Sequence, residues 1–213
     1  MTIKHHLTEN LLMGYAAGTL PEAFSLVVAS HVSMCDTCRA ALESYEALGG
    51  AVLEERGVAL SDTGLADCLA RLDDAPAPAR PRPVAPSGTL PAPLRDYVGG
   101  DVDAIRWLPV GGGVKQAILA TSDSASARLL FIPAGAAVPD HGHRGMELTM
   151  VLQGAFADET DRFGRGDVEI ADEELEHMPV ADIGEDCICL AATDAPLRFR
   201  SLIPRLLQPL LKI

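Results

Sequence analysis

The sequence has few aromatic side chains and no long apolar run, and each shortage excludes a class of protein. Aromatic residues make up only 4% of the 213-residue chain, whereas hydrophobic residues make up 48%, so a core must be mainly aliphatic. An apolar stretch of about 18 residues, which a membrane-spanning helix needs, does not occur. The hydrophobic fraction is too high for a disordered chain, so we expect one or two folded domains.

Basic residues are also scarce, because 17 Lys and Arg stand against 30 Asp and Glu, for a formal net charge of −13. Neutralising phosphates requires basic patches, so direct binding to DNA or RNA is not expected. An acidic surface suits a protein partner that binds DNA through its own basic face. It also favours plain solubility, and both interpretations stay open.

Cysteines are few and do not form a pattern typical of disulfides. The chain has five, an odd number, and two of them, Cys35 and Cys38, have the spacing of metal ligands. The first residues, Met-Thr-Ile-Lys-His-His, lack the apolar core of a secretory leader. We therefore expect a cytoplasmic protein, in a reducing compartment and without a membrane segment.

A proline-rich stretch divides the chain into two parts. Residues 76–93 repeat proline at short intervals, and proline removes a backbone donor and opposes helix formation, so we expect an extended linker. The predicted domains are residues 1–75 and 94–200, followed by a carboxy-terminal tail at 201–213.

Helical periodicity dominates the first part. Capping residues and spacing predict four helices, over residues 9–17 after Thr8, from Pro21 to Met34, from a cap at Asp36 to Arg56, and from Ser61 to Leu72. The fourth helix carries one apolar stripe, formed by Leu65, Cys68, Leu69 and Leu72. This stripe either closes the bundle or faces a partner. Such a small unit has a thin core, which a bound metal would support.

Short strand-like runs replace the helical pattern after the linker. Glycine and aspartate turns separate them, which is typical of a β-sandwich or barrel. The predicted runs are 105–108, 114–120, 127–132, 148–152, 156–157, 167–170, 177–180 and 187–191. In the last run, Cys187 and Cys189 share one face of the strand. They are either redox-sensitive thiols near a metal or small core residues.

A first group of metal ligands is predicted in the helical part. His31 lies four residues before Cys35, and Cys38 follows three residues later, so the three side chains meet at a helix–turn–helix junction. His6, preferred over His5, can close a tetrahedron. Two thiolates and two imidazoles with no open position are typical of structural zinc, which contributes folding free energy. A redox Cys-x2-Cys pair and two ordinary buried thiols are the alternatives.

This pattern, His-x3-Cys-x2-Cys with an upstream histidine in a small helical unit, resembles the zinc-binding anti-sigma domain. The resemblance covers residues 1–75. It implies that the module wraps an extracytoplasmic-function (ECF) sigma factor and blocks its contact with RNA polymerase. It further implies that the helix from Ser61 to Leu72 packs into the sigma factor, and that the zinc ligands are His6, His31, Cys35 and Cys38.

A second group of metal ligands is predicted in the strand-rich part. His141 and His143 alternate along a strand and Glu147 has the same parity, so all three face one side of a sheet. His177 comes from a distant strand and completes a set of three imidazoles and one carboxylate. Such a set suits zinc, manganese, iron or nickel. A histidine-bearing surface turn is the alternative.

The spacing around these residues resembles the two cupin motifs. The first motif is matched by Gly135-x5-His141-x-His143-x3-Glu147-x6-Gly154, and the second by His177 at its expected distance after Gly166. The second motif departs at three turn positions, Asp172, Glu174 and Ala181. The resemblance covers residues 94–200 and implies a small β-barrel that binds a divalent metal, with zinc the first candidate, through His141, His143, Glu147 and His177.

The pairing of the two units resembles the ChrR-type anti-sigma factors. It implies a multidomain α plus β protein, in which a small N-terminal four-helix zinc module is joined by a Pro-rich linker to a C-terminal cupin β-barrel. The implied function is not enzymatic: the chain sequesters an ECF-type sigma factor and releases it on oxidative stress, by singlet oxygen or peroxide, sensed through the cupin. The alternatives are a metal-dependent, dioxygenase-like cupin enzyme with a zinc-stabilised helical appendage, and a passive metal- or ligand-binding module.

Overall fold

The structure, a computed structural model, describes residues 2–59, 61–73, 88–196 and 198–199. The predicted tail at 201–213 and residues 76–87 of the predicted linker lie outside these residues. Among the described helices, none has the length and apolar character needed to cross a membrane.

The amino-terminal part contains the helices α1 (Glu9–Ala16), α2 (Glu22–Val32), α3 (Asp36–Glu55) and α4 (Gly64–Asp73). Thr8 caps α1 as predicted, since its hydroxyl accepts a hydrogen bond from the Leu11 backbone N–H at 3.4 Å. The predicted cap of α3 at Asp36 is wrong, because Asp36 is already helical. Cys35 is the cap, and its Sγ accepts from the Cys38 backbone N–H at 3.5 Å.

One helix that the sequence did not predict follows the proline-rich stretch. It is α5 (Ala92–Val98), and a single 3₁₀ turn, Val102–Ala104, comes after it. Pro91 starts α5 and Gly99, at φ +80°, ends it, which is the usual polarity of these two residues at helix ends. Leu90 and Leu94 are fully buried, so the end of the predicted linker packs against the folded core at Leu90.

Twelve strands make up the described carboxy-terminal part. They are β1 (Leu108–Gly111), β2 (Val114–Leu119), β3 (Ser126–Ile132), β4 (His141–Gly142), β5 (Glu147–Gln153), β6 (Ala155–Ala157), β7 (Arg162–Gly164), β8 (Val168–Ala171), β9 (Glu176–His177), β10 (Val180–Ala181), β11 (Cys187–Thr193) and β12 (Arg198–Phe199). They form a six-stranded sheet in the order β1-β2-β3-β11-β5-β8 and two three-stranded sheets, β10-β6-β7 and β12-β4-β9. All named pairs are antiparallel.

The strand predictions differ from the structure in three ways. The run 105–108 is wrong, because only Leu108 is in a strand. The run 177–180 is two strands, β9 and β10, separated at Met178 and Pro179. The strand expected through His141, His143 and Glu147 is interrupted, because β4 ends at Gly142 and β5 begins at Glu147, and the short strands β7 and β12 were not predicted.

One continuous core joins the helices to the six-stranded sheet. From α2 it includes Phe24, Val27 and Val28, and from the sheet it includes side chains such as Leu129 and Leu190, all buried. The buried face of α2 therefore lies against the sheet and is closed to any other partner. The opposite face of the sheet turns into the barrel, where a second apolar cluster lies together with the buried polar side chains described below.

Candidate metal centres

The structure brings the four predicted ligands of the helical part together. His31 lies in the last turn of α2, Cys35 caps α3, Cys38 lies in its first turn, and His6 comes from the extended segment before α1. One potential ligand atom from each residue lies within 4.8 Å of the others. The short link between α2 and α3 creates this arrangement, because it turns the end of one helix toward the start of the next.

The distances fit one tetrahedral ion. His6 Nδ1 lies 3.3 Å from Cys35 Sγ and 3.6 Å from Cys38 Sγ. Around zinc, with Zn–N near 2.05 Å and Zn–S near 2.3 Å, tetrahedral angles place nitrogen and sulfur about 3.5 Å apart. The geometry therefore suits zinc held by Nδ1 of His6 and by both thiolates.

His31 has the geometry of a metal ligand. Its ring is fully buried, its Nδ1 lies 2.9 Å from the Gly166 carbonyl oxygen, and its Nε2 has no hydrogen-bond partner among the described residues. A carbonyl only accepts, so Nδ1 carries the proton and Nε2 presents a lone pair toward the cysteines. Burial lowers the pKa of His31 to about 4, which keeps the ring neutral.

The thiol of Cys38 also needs a nearby cation in order to ionise at neutral pH. Burial, with the neighbouring Cys35 adding to it, raises the pKa of Cys38 to about 11. A thiolate is the form that binds metal. Zinc binding at neutral pH would therefore release protons from this centre, and the bound charge would stabilise the thiolates.

Three of the four ligands predicted in the barrel also converge. Nε2 of His177 lies 3.2 Å from Nε2 of His141 and 3.3 Å from Nε2 of His143. Tetrahedral zinc–nitrogen geometry places two nitrogens about 3.3 Å apart. β4 and β9 pair His141 directly with His177, and burial lowers the pKa of both His141 and His143. His141 and His143 are therefore neutral, and their rings can offer lone pairs to a divalent ion.

Glu147 lies at the edge of this trio. Its Oε2 is 3.8 Å from Nδ1 of His143, and its Oε1 accepts a hydrogen bond from the Thr149 hydroxyl at 3.0 Å. The group of mutually close ligand atoms contains the three histidines without Glu147. Its role as a ligand therefore remains a prediction.

Two carboxylates that the sequence analysis missed lie behind His177. Nδ1 of His177 is 2.8 Å from Asp158 Oδ2 and 3.0 Å from Glu169 Oε1. Burial raises the pKa of Glu169 to about 7. Burial alone would lower the pKa of His177, but Glu169 and Asp158 raise it to about 9. The carboxylates therefore hold a proton on Nδ1 of His177 and direct its Nε2 toward His141 and His143.

Cys187 and Cys189 lie inside the barrel, away from the first centre. Their Sγ atoms are 3.5 Å apart, and both side chains are buried in the inner apolar cluster. The hydrogen bond with Cys187, reinforced by burial, raises the pKa of Cys189 well above its ordinary value. In this environment both residues behave as packed core thiols.

Comparisons with known proteins identify the family of this chain. A family profile described as "ChrR Cupin-like domain" matches residues 96–196. The anti-sigma-E factor ChrR of Cereibacter sphaeroides is 61% identical over 220 aligned residues, which span all of both chains.

Solved structures agree with this placement. The crystal structure of Rhodobacter sphaeroides SigE in complex with the anti-sigma ChrR matches with a TM-score of 0.79 at 61% identity, over 91% of this chain and all of that one. KdgF from a Halomonas species is 24% identical over 44% of this chain and 89% of its own, at a TM-score of 0.40. This second likeness is too low to support an inference about activity. The predicted combination of amino-terminal helices with a cupin-like β domain is confirmed, and the chain belongs to the ChrR family of anti-sigma factors.

Proposed function

We propose that this protein is a regulator, not an enzyme, which binds an ECF-type sigma factor and withholds it from RNA polymerase until oxidative stress. The observation that carries this proposal is the identity of 61% along the whole chain with an anti-sigma factor. A structural relative at the same identity was crystallised with SigE bound to it. The cytoplasmic location predicted from the sequence is part of this proposal.

The proposed binding surface lies on α3, on α4 and on the segment between them. Apolar side chains there are between 53% and 86% exposed, although a monomeric protein normally covers a large apolar patch. We call this set the α3–α4 surface: Leu48, Val52, Leu53, Val58, Leu65, Leu69 and Leu72. Because the stripe of α4 does not close the bundle here, its other predicted role, contact with a partner, is the one we propose.

The partner that fits this surface is a protein with an apolar groove and a basic periphery. The chain carries a net charge of −13, and an ECF sigma factor must present basic residues to DNA. Charge complementarity would accelerate association, whereas buried leucines would supply most of the affinity. Direct binding of nucleic acid by this acidic chain is not proposed.

Zinc is the metal we propose for the amino-terminal centre, held by His6, His31, Cys35 and Cys38. Closed tetrahedral coordination would fix the junction of α2 with α3 and attach the segment before α1. The barrel centre would hold a divalent ion, with zinc first and manganese, iron or nickel as alternatives, through His141, His143 and His177, and with Glu147 as the fourth ligand. We propose that this second centre senses the oxidant.

The domain boundaries stay those predicted from the sequence: 1–75 for the anti-sigma part, 76–93 for the linker, 94–200 for the cupin and 201–213 for the tail. The buried Leu90 and the start of α5 at Ala92 show that the last linker residues pack with the folded core. The helical part and the barrel are best tested together in the full chain, since they share one core.

Transcription reconstituted from purified components tests this function. The full chain, loaded with zinc, should inhibit transcription by RNA polymerase with an ECF sigma factor of the same organism, at a stoichiometry near one to one. A housekeeping sigma factor is the matched control and should remain active. A chain that inhibits neither factor, yet turns over a small substrate in a metal-dependent reaction, would support the cupin-enzyme alternative.

A further inference from the structure

The segment before α1 is bound along the barrel. We call residues 2–7 the arm. The backbone N–H groups of Lys4 and His5 donate to Asp167 Oδ1 at 2.6 and 2.9 Å, and the Val168 N–H donates to the His5 carbonyl at 3.2 Å. The arm thus extends the hydrogen bonding of the barrel beside the turn between β7 and β8.

Asp167 is the residue that ties the arm to this turn. Its side chain is buried, and its second oxygen, Oδ2, accepts the Gly164 N–H at 2.8 Å. One carboxylate therefore accepts three backbone N–H bonds, one from within the turn and two from the arm. Burial alone would raise the pKa of Asp167, but these donors outweigh it and lower the pKa, so the carboxylate is charged.

Gly166, the residue before Asp167, contacts the amino-terminal centre directly. Its carbonyl accepts the hydrogen bond from Nδ1 of His31 at 2.9 Å, across 135 residues of sequence. Its φ of +91° lies in the region that favours glycine, and an added Cβ would come within 2.7 Å of the Ile3 side chain. Both the backbone conformation and the close approach of the arm therefore require glycine at this position.

A third contact reaches the arm from the loop before β7. Asp161 Oδ2 lies 3.1 Å from Nε2 of His5. The His5 ring packs against the Phe163 ring, with centroids 4.4 Å apart and an angle of 45° between the ring planes. Asp158, in the same loop, accepts the Asp161 N–H at 3.2 Å and lies 2.8 Å from His177 Nδ1. This loop therefore touches the barrel centre at one end and the arm at the other.

We propose that the barrel positions the ligands of the amino-terminal metal centre: Gly166 orients His31, and Asp167 fixes the arm that carries His6. The inference rests on the proposed occupancy of that centre by a metal. A hydrogen bond to the far nitrogen of a histidine ligand sets its tautomer and ring orientation, and losing such a partner costs about 10- to 100-fold in metal affinity. Here that partner belongs to the other domain.

This arrangement gives the barrel a means of acting on the helices. The hydrogen bonds from His177 through Asp158 and Asp161 end at His5, the neighbour of the ligand His6. A displacement of His177 would shift Asp158, and with it the loop that contacts the arm. The amino-terminal centre would then lose the constraint on one ligand without any direct contact between the two metals.

Two variants of the full-length protein test the proposal, each with a matched control. Asp167→Asn replaces one of the two acceptor oxygens with an NH₂ group, so the side chain can no longer accept from both the Gly164 N–H and the arm, and it keeps its size. Its control is Asp186→Asn, because Asp186 also accepts a backbone N–H, that of Ala134 at 2.9 Å, and neither residue belongs to the arm or to the turn between β7 and β8. Gly166→Ala is matched by Gly111→Ala, which sits at φ +120° with open space around its Cβ position.

Two quantities are measured. They are the rate at which zinc is released to a chromogenic chelator and the absorption spectrum of the cobalt-substituted protein. The thiolate-to-cobalt band reports the amino-terminal centre, because the barrel trio contains no cysteine. We expect zinc release about 10- to 100-fold faster for both test variants, with a shifted cobalt band, and no change for the controls. Thermal unfolding of each variant verifies that the barrel stays folded.

Release at the wild-type rate with an unchanged cobalt spectrum, in a folded Asp167→Asn protein, would overturn the proposal. If the Gly166→Ala protein does not fold, the result for Asp167→Asn alone decides. Wild-type protein that takes up no metal at Cys35 and Cys38 overturns both this inference and the proposed zinc centre. Faster release in Asp186→Asn as well would overturn it too, because the effect would then be general destabilisation.

Discussion

Shortening two leucines on α4 tests the proposed contact with the sigma factor. Leu65 is 72% exposed and Leu69 is 53% exposed. Burying a whole leucine side chain contributes about 1.5–3 kcal/mol, so covering the exposed fractions of the two would contribute about 2–4 kcal/mol in total, of which about 2–3 kcal/mol would be lost on truncation to alanine, because the Cβ atoms remain. The double variant Leu65→Ala/Leu69→Ala should therefore bind the sigma factor about 30- to 150-fold more weakly.

Titration calorimetry with the purified sigma factor measures this loss directly. Alanine favours helix at least as well as leucine, so α4 should persist and the free protein should keep its melting temperature. Ile183→Ala is the control, since Ile183 is 92% exposed on the barrel and outside the α3–α4 surface. A loss of less than about threefold in the double variant, or an equal loss in the control, would refute this use of exposed area to locate the interface.

The other predictions concern the two metal centres and the core. His31→Ala should remove zinc from the amino-terminal centre and reduce helical circular dichroism, because structural zinc supplies folding free energy; metal analysis gives the stoichiometry. His177→Ala should leave sigma binding intact but impair induction by singlet oxygen or peroxide, as read from a reporter gene, and normal induction would count against a sensing barrel. Leu129→Ala, at a fully buried position of β3, should lower the unfolding free energy by about 2–5 kcal/mol in urea.

The first metal centre could be predicted from sequence because its ligands are local. His31, Cys35 and Cys38 lie within eight positions, and helix geometry alone brings them together. The hydrogen bond from His31 to the Gly166 carbonyl could not be predicted, because a backbone carbonyl leaves no trace in residue identity. The contact depends on how α2 packs on the sheet, which no local pattern encodes.

The barrel centre was predictable in part. The spacing of His141, His143 and His177 identified the trio, yet Asp158 and Glu169 were missed. Glu169 had a usable signal, since it is a charged residue within the otherwise apolar strand Val168–Ala171 and is only 4% exposed. Asp158 had none, because an aspartate followed by Glu-Thr-Asp reads as an ordinary turn.

The arrangement of the two parts was the feature least visible in the sequence. The proline-rich stretch suggested separate modules, but apolar residues of α2 and of the sheet are packed in one core. The pattern of α2 is apolar around most of its circumference, with seven buried residues among its eleven. A helix buried on so many sides must pack against more than the other helices of the amino-terminal part.

Capture of the sigma factor before and after zinc removal tests the central claim most directly. The full-length protein is treated with a chelator until metal analysis shows that the amino-terminal centre is empty, and binding is measured at once. We expect affinity to fall at least 100-fold and to return when zinc is restored, because loss of the ion should release the junction of α2 with α3. Unchanged helicity and unchanged capture in the zinc-free protein would contradict the claim.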